Sequence, residues 1–300
     1  MLLGIGECMV ELRDSGAREL RLGFGGDVLN TLVYAGRQGV PTAFATVTGD
    51  DHYGRWLRTC WEDEGINCDL VRHDEGTAPA LYVIRNEPSG ERHFHYWRDA
   101  SPFRALFRDA TYVEQLAGAL GRAPWVYVSG IALALLDDAD RTVLLTLLAG
   151  VRQRGGEVAF DPNYRARLWP DRGTARHWLD RAYGCATVAL PSREDERTLR
   201  SDEIDAPALA GELFARGCRE VIAKDGVQGA FVRSSADEGW VTAHAVSAVV
   251  DTTAAGDAFN GAWLAARMRG APALEAARAG ARLAASIVQH PGAITPRAVR

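Results

Sequence analysis

The stretch "VVDTTAAGDAFNGAW", residues Val249 to Trp263, joins a run of valines to a helical pattern through a cluster of very small side chains. One helical stripe then collects the apolar residues Phe259, Ala262, Trp263 and Ala266. This spacing predicts a helix that begins near residues 254–256. The first N–H groups of a helix lack partners within it, and the helix dipole makes that end positive. Because the side chains there are small, an anion such as a phosphate could reach these groups.

Asp257 would stand in the first turn of this helix, beside the anion site. A carboxylate in a first turn is stabilised by the helix dipole, so it can be an ordinary structural choice. The same carboxylate could instead act on a molecule that the anion site holds. The stretch alone leaves both interpretations open.

Composition limits the classes of protein to be considered. The chain has 300 residues, 47% of them hydrophobic, so it can bury a large core in one big α/β domain or two modest ones. The formal net charge is -5 and the sequence has no evident basic patch, which disfavours a nucleic-acid partner. No window is long and apolar enough to predict a membrane span.

The N-terminus and the cysteines favour one compartment. Glu7 interrupts the first apolar run before a signal peptide could develop. The five cysteines are scattered, and no two have the spacing of a zinc or redox motif, so we expect reduced thiols. These features predict a soluble, cytoplasmic protein.

Short apolar runs recur along the chain, with helical segments such as 141–155 between them. The runs are 125–130, 157–163, 186–192, 220–226 and 245–251. They are apolar on both faces, as parallel strands covered by helices on each side must be. The sequence therefore predicts an α/β fold with a doubly wound, mostly parallel sheet. Ligands of such sheets bind beyond the carboxyl ends of the strands, and each of these runs ends in polar or small residues.

Two segments, about 7–24 and 77–101, break this alternation. Both are typical of antiparallel strands joined by a turn, which in the second segment falls at Pro88-Ser89-Gly90. They predict a small β-sheet inserted into the main fold, which could act as a lid. An apolar outer face on such strands would need a cover, so we expect a homodimer or a higher homo-oligomer formed through the lid.

The register of the second hairpin decides which of its side chains share a surface. Pairing of Asn86 with Arg92 puts Tyr82 opposite Tyr96. Arg98 would then lie on the same face as Tyr96. A shift by one residue would place the two tyrosines on opposite faces.

A second small-residue motif, "GFGGDVLNTLVYAGRQG", spans residues 23–39. Gly25 and Gly26 permit close approach to the backbone. Asp27 and Asn30 offer an acceptor and a donor for hydroxyl groups at the head of a predicted helix. Asp27 could also be the N-cap of that helix.

The sequence contains no familiar phosphate loop. It has no GxxxxGK[ST] loop and no His-Arg-Asp catalytic loop, and "GIGEC" does not complete a dinucleotide fingerprint. If the chain binds ATP, it must use a helix start such as the one near residues 254–256.

The segments from Gly25 to Asn30 and from Asp251 to Asp257 resemble the two signatures of the ribokinase-like (PfkB) carbohydrate kinases. The resemblance covers almost the whole chain. Within the family, "GECMVEL", "GFGGDVLNT", "YWRDASP", "SGIALA" and "DPNYRARLW" are most similar to kinases of 2-keto-3-deoxygluconate. It implies one ribokinase-like catalytic domain over residues 1–300, which phosphorylates the terminal C6 hydroxyl of this sugar acid with ATP and magnesium.

The resemblance also implies roles for single residues. Asp257 matches the general base, and the anion hole for the transferred phosphoryl group matches Ala254, Ala255 and Gly256. The substrate-binding positions match Gly25, Gly26, Asp27, Asn30, Tyr82, Tyr96, Arg98 and Arg165. The two arginines would bind the carboxylate of the acid, which favours a charged, bidentate partner.

The nucleotide-binding positions match Asn163, Ser192, Lys224, Gly226, Gly229, Thr253 and Gly256, and residues 288–293 resemble the adenine loop. The usual Asn-x-x-Glu motif, which supports the metal and the phosphates, is replaced here by Ser192-Arg193-Glu194-Asp195. Glu194 or Asp195 could still hold magnesium through water, and the sequence leaves open which. Lys224 is the only lysine of the chain, either because an ammonium is needed there or by chance.

Two other functions remain open on the sequence. One is a kinase of the same fold that acts on a neutral ketose such as fructose. The other is a module that binds sugar or nucleotide without turnover, although a pure binder would have no need of Asp257 beside Gly256. The galactonate-derived epimer of the sugar acid is a further possible substrate.

Overall fold

The computed structural model describes residues 1–14, 19–86 and 92–297, which form two β-sheets and their covering helices. The strands are β1 (Leu2–Ile5), β2 (Met9–Asp14), β3 (Leu20–Gly25), β4 (Thr42–Gly49), β5 (Ile66–Asp74), β6 (Leu81–Asn86), β7 (Arg92–Trp97), β8 (Trp125–Ser129), β9 (Glu157–Asp161), β10 (Val188–Ala189), β11 (Glu220–Lys224), β12 (Ala230–Ser234) and β13 (Glu238–Val241). The helices are α1 (Asp27–Arg37), α2 (His52–Asp63), α3 (Ala110–Arg122), α4 (Gly130–Leu135), α5 (Asp138–Gln153), α6 (Arg172–Cys185), α7 (Arg193–Arg200), α8 (Ala206–Ala215), α9 (Ala255–Met268) and α10 (Ala273–Ile287).

The larger sheet has nine strands in the order β13-β12-β11-β10-β9-β8-β1-β4-β5. From β11 to β5 all neighbours are parallel, while β12 and β13 add an antiparallel edge. One apolar core lies on each face of this sheet. The runs at 125–130, 157–163, 186–192 and 220–226 contain β8 to β11, so the predicted doubly wound sheet is confirmed.

The prediction of a strand at 245–251 is wrong, since these residues form no β-strand. The N–H groups of Val250 and Asp251 both donate to the carbonyl oxygen of Val288, so this run pairs with the chain after α10. Val249 and Val250 are 61% and 55% exposed. Branching at Cβ favours an extended backbone, but a strand also needs a neighbouring strand, and β12 and β13 already form this edge of the sheet.

The smaller sheet has four strands in the order β3-β2-β6-β7. Each hairpin is antiparallel, as predicted, and the two hairpins are joined by parallel pairing of β2 with β6. Asn86 pairs with Arg92 and Tyr82 with Tyr96, which confirms the predicted register. The predicted turn at Pro88-Ser89-Gly90 lies outside the described residues.

Close packing of α1 against α9 brings the two small-residue motifs together. A side chain at Gly261 would lie 2.6 Å from the carbonyl oxygen of Thr31, so a residue with a Cβ could not keep the two helices at this distance. The predicted stripe from Phe259 to Ala266 is buried. None of the described helices is long and apolar enough to cross a membrane.

Candidate active site

A cavity of about 1000 Å³ lies where the carboxyl ends of the parallel strands meet the four-stranded sheet. Its walls include these residues expected from the sequence: Gly26, Asp27, Asn30, Tyr82, Tyr96, Arg98, Asn163, Arg165, Ser192, Glu194, Asp195, Lys224, Gly226, Thr253, Ala254, Ala255, Gly256 and Asp257. They come from both sheets and from the starts of α1 and α9. The segments singled out in the sequence therefore converge on one place.

Two expected site residues, Gly25 and Gly229, do not line this cavity. A side chain at Gly25 would lie 2.4 Å from the hydroxyl oxygen of Tyr82, so this glycine makes room for the tyrosine. Gly229 has a φ of +105°, and a Cβ there would lie 2.0 Å from the carbonyl oxygen of Val241. Packing against the Tyr82 side chain at Gly25 and the backbone conformation at Gly229 are thus sufficient to require glycine at these positions.

The helix start predicted near residues 254–256 is confirmed. Ala254 is the N-cap of α9, in the left-handed conformation with φ 59°, and it makes no side-chain cap hydrogen bond. Ala255 and Gly256 follow it and line the cavity. A Cβ on Gly256 would have Lys224 Nζ as its nearest neighbour, at 3.9 Å. The ammonium group and the positive helix end therefore face the same space, which suits an anion.

Asp257 lies in the first turn of α9 and accepts a hydrogen bond of 2.8 Å from the side-chain amide of Asn30. It keeps part of its surface open to the cavity, and desolvation by the surrounding protein is the main cause that raises the pKa of Asp257 to about 7. The nearby Asp27 and Asp161 add to this rise, while Asn30 and Lys224 oppose it. A carboxyl group with this pKa can exchange a proton near neutral pH.

The ammonium of Lys224 is fixed by a buried polar network. Its Nζ donates to Asp161 Oδ2 at 2.8 Å and to Asn260 Oδ1 at 3.1 Å. Asn260 Nδ2 donates in turn to Asp161 Oδ2 at 2.6 Å. Asn260 was not identified from the sequence, although a polar residue three positions after Asp257 on an apolar helix is a usable signal.

Asp27 is not the N-cap of α1. The N-cap is Gly26, and Asp27 is the first helical residue. The carboxylate of Asp27 instead accepts a hydrogen bond of 2.8 Å from the amide of Asn163, which follows β9. Burial raises the pKa of Asp27, and hydrogen bonds from Ser129 and Asn163 oppose the rise. Asp27 is therefore held at the cavity wall by the end of the larger sheet.

The four-stranded sheet supplies an aromatic wall. The rings of Tyr82 and Tyr96 stack with their centroids 5.7 Å apart. The hydroxyl of Tyr82 donates to Glu11 Oε2 at 2.5 Å, and Glu11 also accepts from Arg13 at 3.0 Å. Glu11 was not expected from the sequence. This buried carboxylate holds the tyrosine ring against its neighbour.

Both arginines expected to bind a carboxylate already have acidic partners. Arg98 is 6% exposed and forms a buried ion pair with Glu7, whose pKa is raised chiefly by burial. Arg165 is 45% exposed and pairs with Asp195 at 3.2 Å. Burial raises the pKa of Asp195 to about 6, against the attraction of Arg165. Glu7 was not expected from the sequence, and Asp195 was expected as a magnesium-binding residue but not as the partner of Arg165.

Glu194 and Asp195 both line the cavity. Within residues 1–14, 19–86 and 92–297, no three acidic, histidine or cysteine side chains converge as a metal site. Mg²⁺ commonly uses one or two carboxylates together with water and substrate phosphates. The donors present fit that mode of binding.

Comparison with known proteins first defines the fold. The solved structure described as a putative ribokinase II in complex with ATP and Mg²⁺ from E. coli matches with a TM-score of 0.84, at 24% identity, over 97% of this chain and 94% of that one. The fold is thus ribokinase-like, with the expected small second sheet.

The sequence then defines the family. The model of the pfkB family carbohydrate kinases matches residues 2–299, so the chain belongs to this family and is a sugar kinase. The 2-dehydro-3-deoxygluconokinase of Dickeya dadantii is 36% identical, over 97% of this chain and 96% of that protein. A fructokinase of Klebsiella pneumoniae is 30% identical, over 85% of this chain and 80% of that protein. The family resemblance of the two small-residue motifs is confirmed.

Proposed function

We propose that this kinase transfers the γ-phosphoryl group of ATP to the terminal C6 hydroxyl of 2-keto-3-deoxygluconate, giving 2-keto-3-deoxy-6-phosphogluconate. The relative with 36% identity over nearly the full length is named for the same sugar acid. The observation that carries the mechanism is the position of Asp257. It lies in the cavity wall at the start of α9, with a pKa of about 7.

Asp257 is the general base in this proposal. A base accepts a proton efficiently when its pKa lies near the working pH. The carboxylate takes the proton of the C6 hydroxyl while the C6 oxygen of the sugar attacks the γ-phosphorus. The bond from that phosphorus to the β,γ-bridging oxygen breaks, and ADP leaves. Asn30 holds one carboxylate oxygen, Oδ2, and so orients the group.

The start of α9 is the anion hole. The helix start at residues 254–256 and the ammonium of Lys224 face the same space, where negative charge spreads over the transferred phosphoryl oxygens. The N–H of Ala255 donates to the carbonyl oxygen of Thr252 at 3.2 Å, so the proposed donors to the anion are the N–H groups of Ala254 and Gly256. Lys224 is held in place by Asp161 and Asn260, so it needs little rearrangement when the charge develops.

The nucleotide would lie along the adjoining part of the cavity, past Asn163, Ser192, Gly226 and Thr253. Val227 is 94% exposed and follows Gly226. Val249 and Val250, which are also exposed, lie a few residues before helix α9. These apolar side chains suit an adenine ring. Glu194 and Asp195 would hold Mg²⁺, which neutralises phosphate charge when it is bound. Because ATP is needed, we expect the enzyme in the cytoplasm.

The four-stranded sheet is the proposed lid. Its inner face brings Met9, Tyr82 and Tyr96 to the cavity, where closure over a sugar would exclude water that could hydrolyse ATP. Leu20, Leu22 and Trp97 lie on its outer face and are 53%, 47% and 59% exposed. We propose that a second copy of the chain covers this apolar face in a homodimer.

A neutral ketose such as fructose is the second candidate substrate. The 30% identity to a fructokinase favours it, as does the neutralisation of Arg98 by Glu7 and of Arg165 by Asp195. The higher identity and coverage of the sugar-acid relative favour the first candidate.

ADP release from the purified protein with ATP and Mg²⁺ tests the proposal. The substrates are 2-keto-3-deoxygluconate, its galactonate-derived epimer, fructose and ribose, each with and without the protein. We expect turnover of the keto-deoxy acid far above that of the neutral sugars. A preference for fructose would replace the first candidate by the second, and binding without turnover of any sugar would refute both.

A further inference from the structure

Arg13 lies where the four-stranded sheet meets the segment that follows α10, residues 288–293. Its guanidinium packs against Gly292, since a Cβ at Gly292 would lie 2.7 Å from Arg13 Cζ. Gly292 also has a φ of +92°, which a residue with a side chain adopts only under strain. The glycine therefore permits a direct contact between the guanidinium and the backbone of the segment.

Within the four-stranded sheet, Arg13 is joined to the aromatic wall of the cavity. It donates to Glu11 Oε1 at 3.0 Å, and Glu11 Oε2 accepts from the hydroxyl of Tyr82. Glu11 is 2% exposed, so this carboxylate ties Arg13 firmly to Tyr82. Arg13 itself does not line the cavity. It can therefore act on a ligand only through its neighbours.

The segment 288–293 is joined in turn to the start of α9. The N–H of Gly292 donates to Asp251 Oδ2 at 2.8 Å, and the N–H of Thr253 donates to Oδ1 of the same carboxylate at 2.7 Å. Thr253 directly precedes Ala254, the N-cap of α9. The position of Gly292 thus affects the helix start that is the proposed anion hole.

We propose that Arg13 is a positioning residue that couples the sugar part of the cavity to the nucleotide part. This inference rests on the proposed function, in which the sugar lies against Tyr82 and the phosphates lie at the start of α9. A sugar that holds the four-stranded sheet over the cavity also holds Arg13 against Gly292. The segment and the start of α9 then stay in the arrangement that binds ATP. ATP favours the same arrangement, because coupling between two ligands is reciprocal.

Other anchors of the segment lie outside the four-stranded sheet. The hydroxyl of Tyr34 donates to the carbonyl oxygen of Ala293 at 2.7 Å and accepts from the N–H of Thr295 at 3.3 Å. Tyr34 belongs to α1, which packs on the larger sheet. This anchor holds the segment whether or not a sugar is bound. The contact of Arg13 differs, because it joins the segment to the sheet that carries Tyr82.

The test measures binding, with Mg²⁺ and the β,γ-methylene analogue of ATP so that no phosphoryl group is transferred. Calorimetry gives the Kd of the analogue without sugar and with saturating 2-keto-3-deoxygluconate or fructose. We expect the bound sugar to lower this Kd roughly 5- to 150-fold in the unmodified protein and much less in Arg13→Gln. A glutamine can still donate to Glu11 but lacks the Cζ and the terminal nitrogens that pack against Gly292. The Kd of each ligand alone should change little.

Two further variants separate the contact from a general effect of charge. Arg13→Lys keeps a cation beside Glu11 but not the planar group, so it should lose part of the coupling. Arg282→Gln is the matched control and should keep all of it, because Arg282 is exposed on α10, the helix that leads into the segment. Thermal unfolding of each variant identifies any loss that comes from misfolding.

Full coupling in Arg13→Gln would overturn the inference, as would an unmodified protein in which the sugar leaves the Kd of the analogue unchanged. Weaker binding of each ligand alone, with an unchanged coupling factor, would also overturn it, since Arg13 would then only support the fold. If neither sugar binds, the proposed function fails and the inference fails with it. If a sugar binds and the coupling survives the substitution, the inference alone fails.

Discussion

Asn30 on α1 donates its side-chain amide to Asp257 on α9 at 2.8 Å, and so joins two motifs that lie 227 residues apart. The hydrogen bond fixes one carboxylate oxygen. It also stabilises the ionised form and opposes the rise in the pKa of Asp257 that burial causes. Asn30 is therefore both an orienting and an electrostatic partner of the proposed base.

The first prediction concerns the pH dependence of catalysis. Asp257 must be ionised to accept a proton, and its pKa is raised to about 7. We expect kcat/KM to fall about tenfold for each pH unit below that value. Asp257→Asn should lower kcat/KM on the order of 10²- to 10⁴-fold. Its residual rate should lack the fall at low pH, which is the acid limb of the pH profile. Rates measured from pH 5.5 to 9 check this, and an unchanged acid limb in the variant would point to another group.

The second prediction concerns stability. A carboxyl group with a raised folded-state pKa binds a proton more tightly in the folded than in the unfolded protein, so the folded state loses stability as the pH rises from about 4 to 7. Asp257→Asn removes this penalty. Since part of the side chain is open to the cavity, we expect a gain of about 1–3 kcal/mol at pH 8.

Thermal or urea unfolding at pH 5 and pH 8 measures this gain, which should shrink at the lower pH. A variant that is less stable than the unmodified protein at pH 8 would show that the contacts of the Asp257 carboxylate stabilise the folded state by more than its burial costs. The combination of lost activity with gained stability is what separates a functional carboxylate from a structural one.

The third prediction tests the partner of Asp257. Asn30→Ala removes a hydrogen bond that favours the ionised carboxylate, so the pKa of Asp257 should rise further and the acid limb should move to higher pH. Asn67→Ala, at an exposed position of β5, is the matched control and should leave the profile in place. A lower rate without a shifted limb would leave Asn30 with only an orienting role.

Much of the fold could be predicted because its strands carry their own signal. Parallel strands buried on both faces are apolar along their middle residues, as at 126–128 in β8, 158–160 in β9 and 221–223 in β11. The run at 245–251 has the same composition, but its pairing depends on which edge of the sheet is already occupied. No local pattern contains that information.

Some residues of the candidate site could likewise be predicted from the sequence, and others could not. Asp257 and Asn30 could be predicted because helix starts and glycine motifs are local features of the sequence. Glu7 and Glu11 could not, because their roles depend on the groups that they meet in the folded chain: Arg98 for the first and the hydroxyl of Tyr82 for the second. Which arginine is neutralised is a property of the folded arrangement.

The fourth prediction tests the anion hole. A Cβ at Gly256 would have Lys224 Nζ as its nearest neighbour at 3.9 Å, so Gly256→Ala should fold normally. Its methyl group would nevertheless occupy space in front of the helix start, and we expect kcat to fall roughly 10- to 100-fold. Gly184→Ala is the control, since a Cβ there meets nothing within 4 Å and should stabilise α6 by up to about 1 kcal/mol. Full activity of Gly256→Ala would argue against a role for this helix start.

The fifth prediction concerns the outer face of the four-stranded sheet. Leu22 is 47% exposed on the face turned away from the cavity, so a glutamate there should leave the sheet folded but prevent a second copy from covering it. Light scattering should give a dimer for the unmodified protein and a monomer for Leu22→Glu. Val143→Glu, at an exposed position of α5, should remain dimeric. We also expect a higher KM for the sugar in the monomer, because an uncovered lid is held less firmly over the cavity. If light scattering shows that the unmodified protein is a monomer, the proposed dimer is refuted.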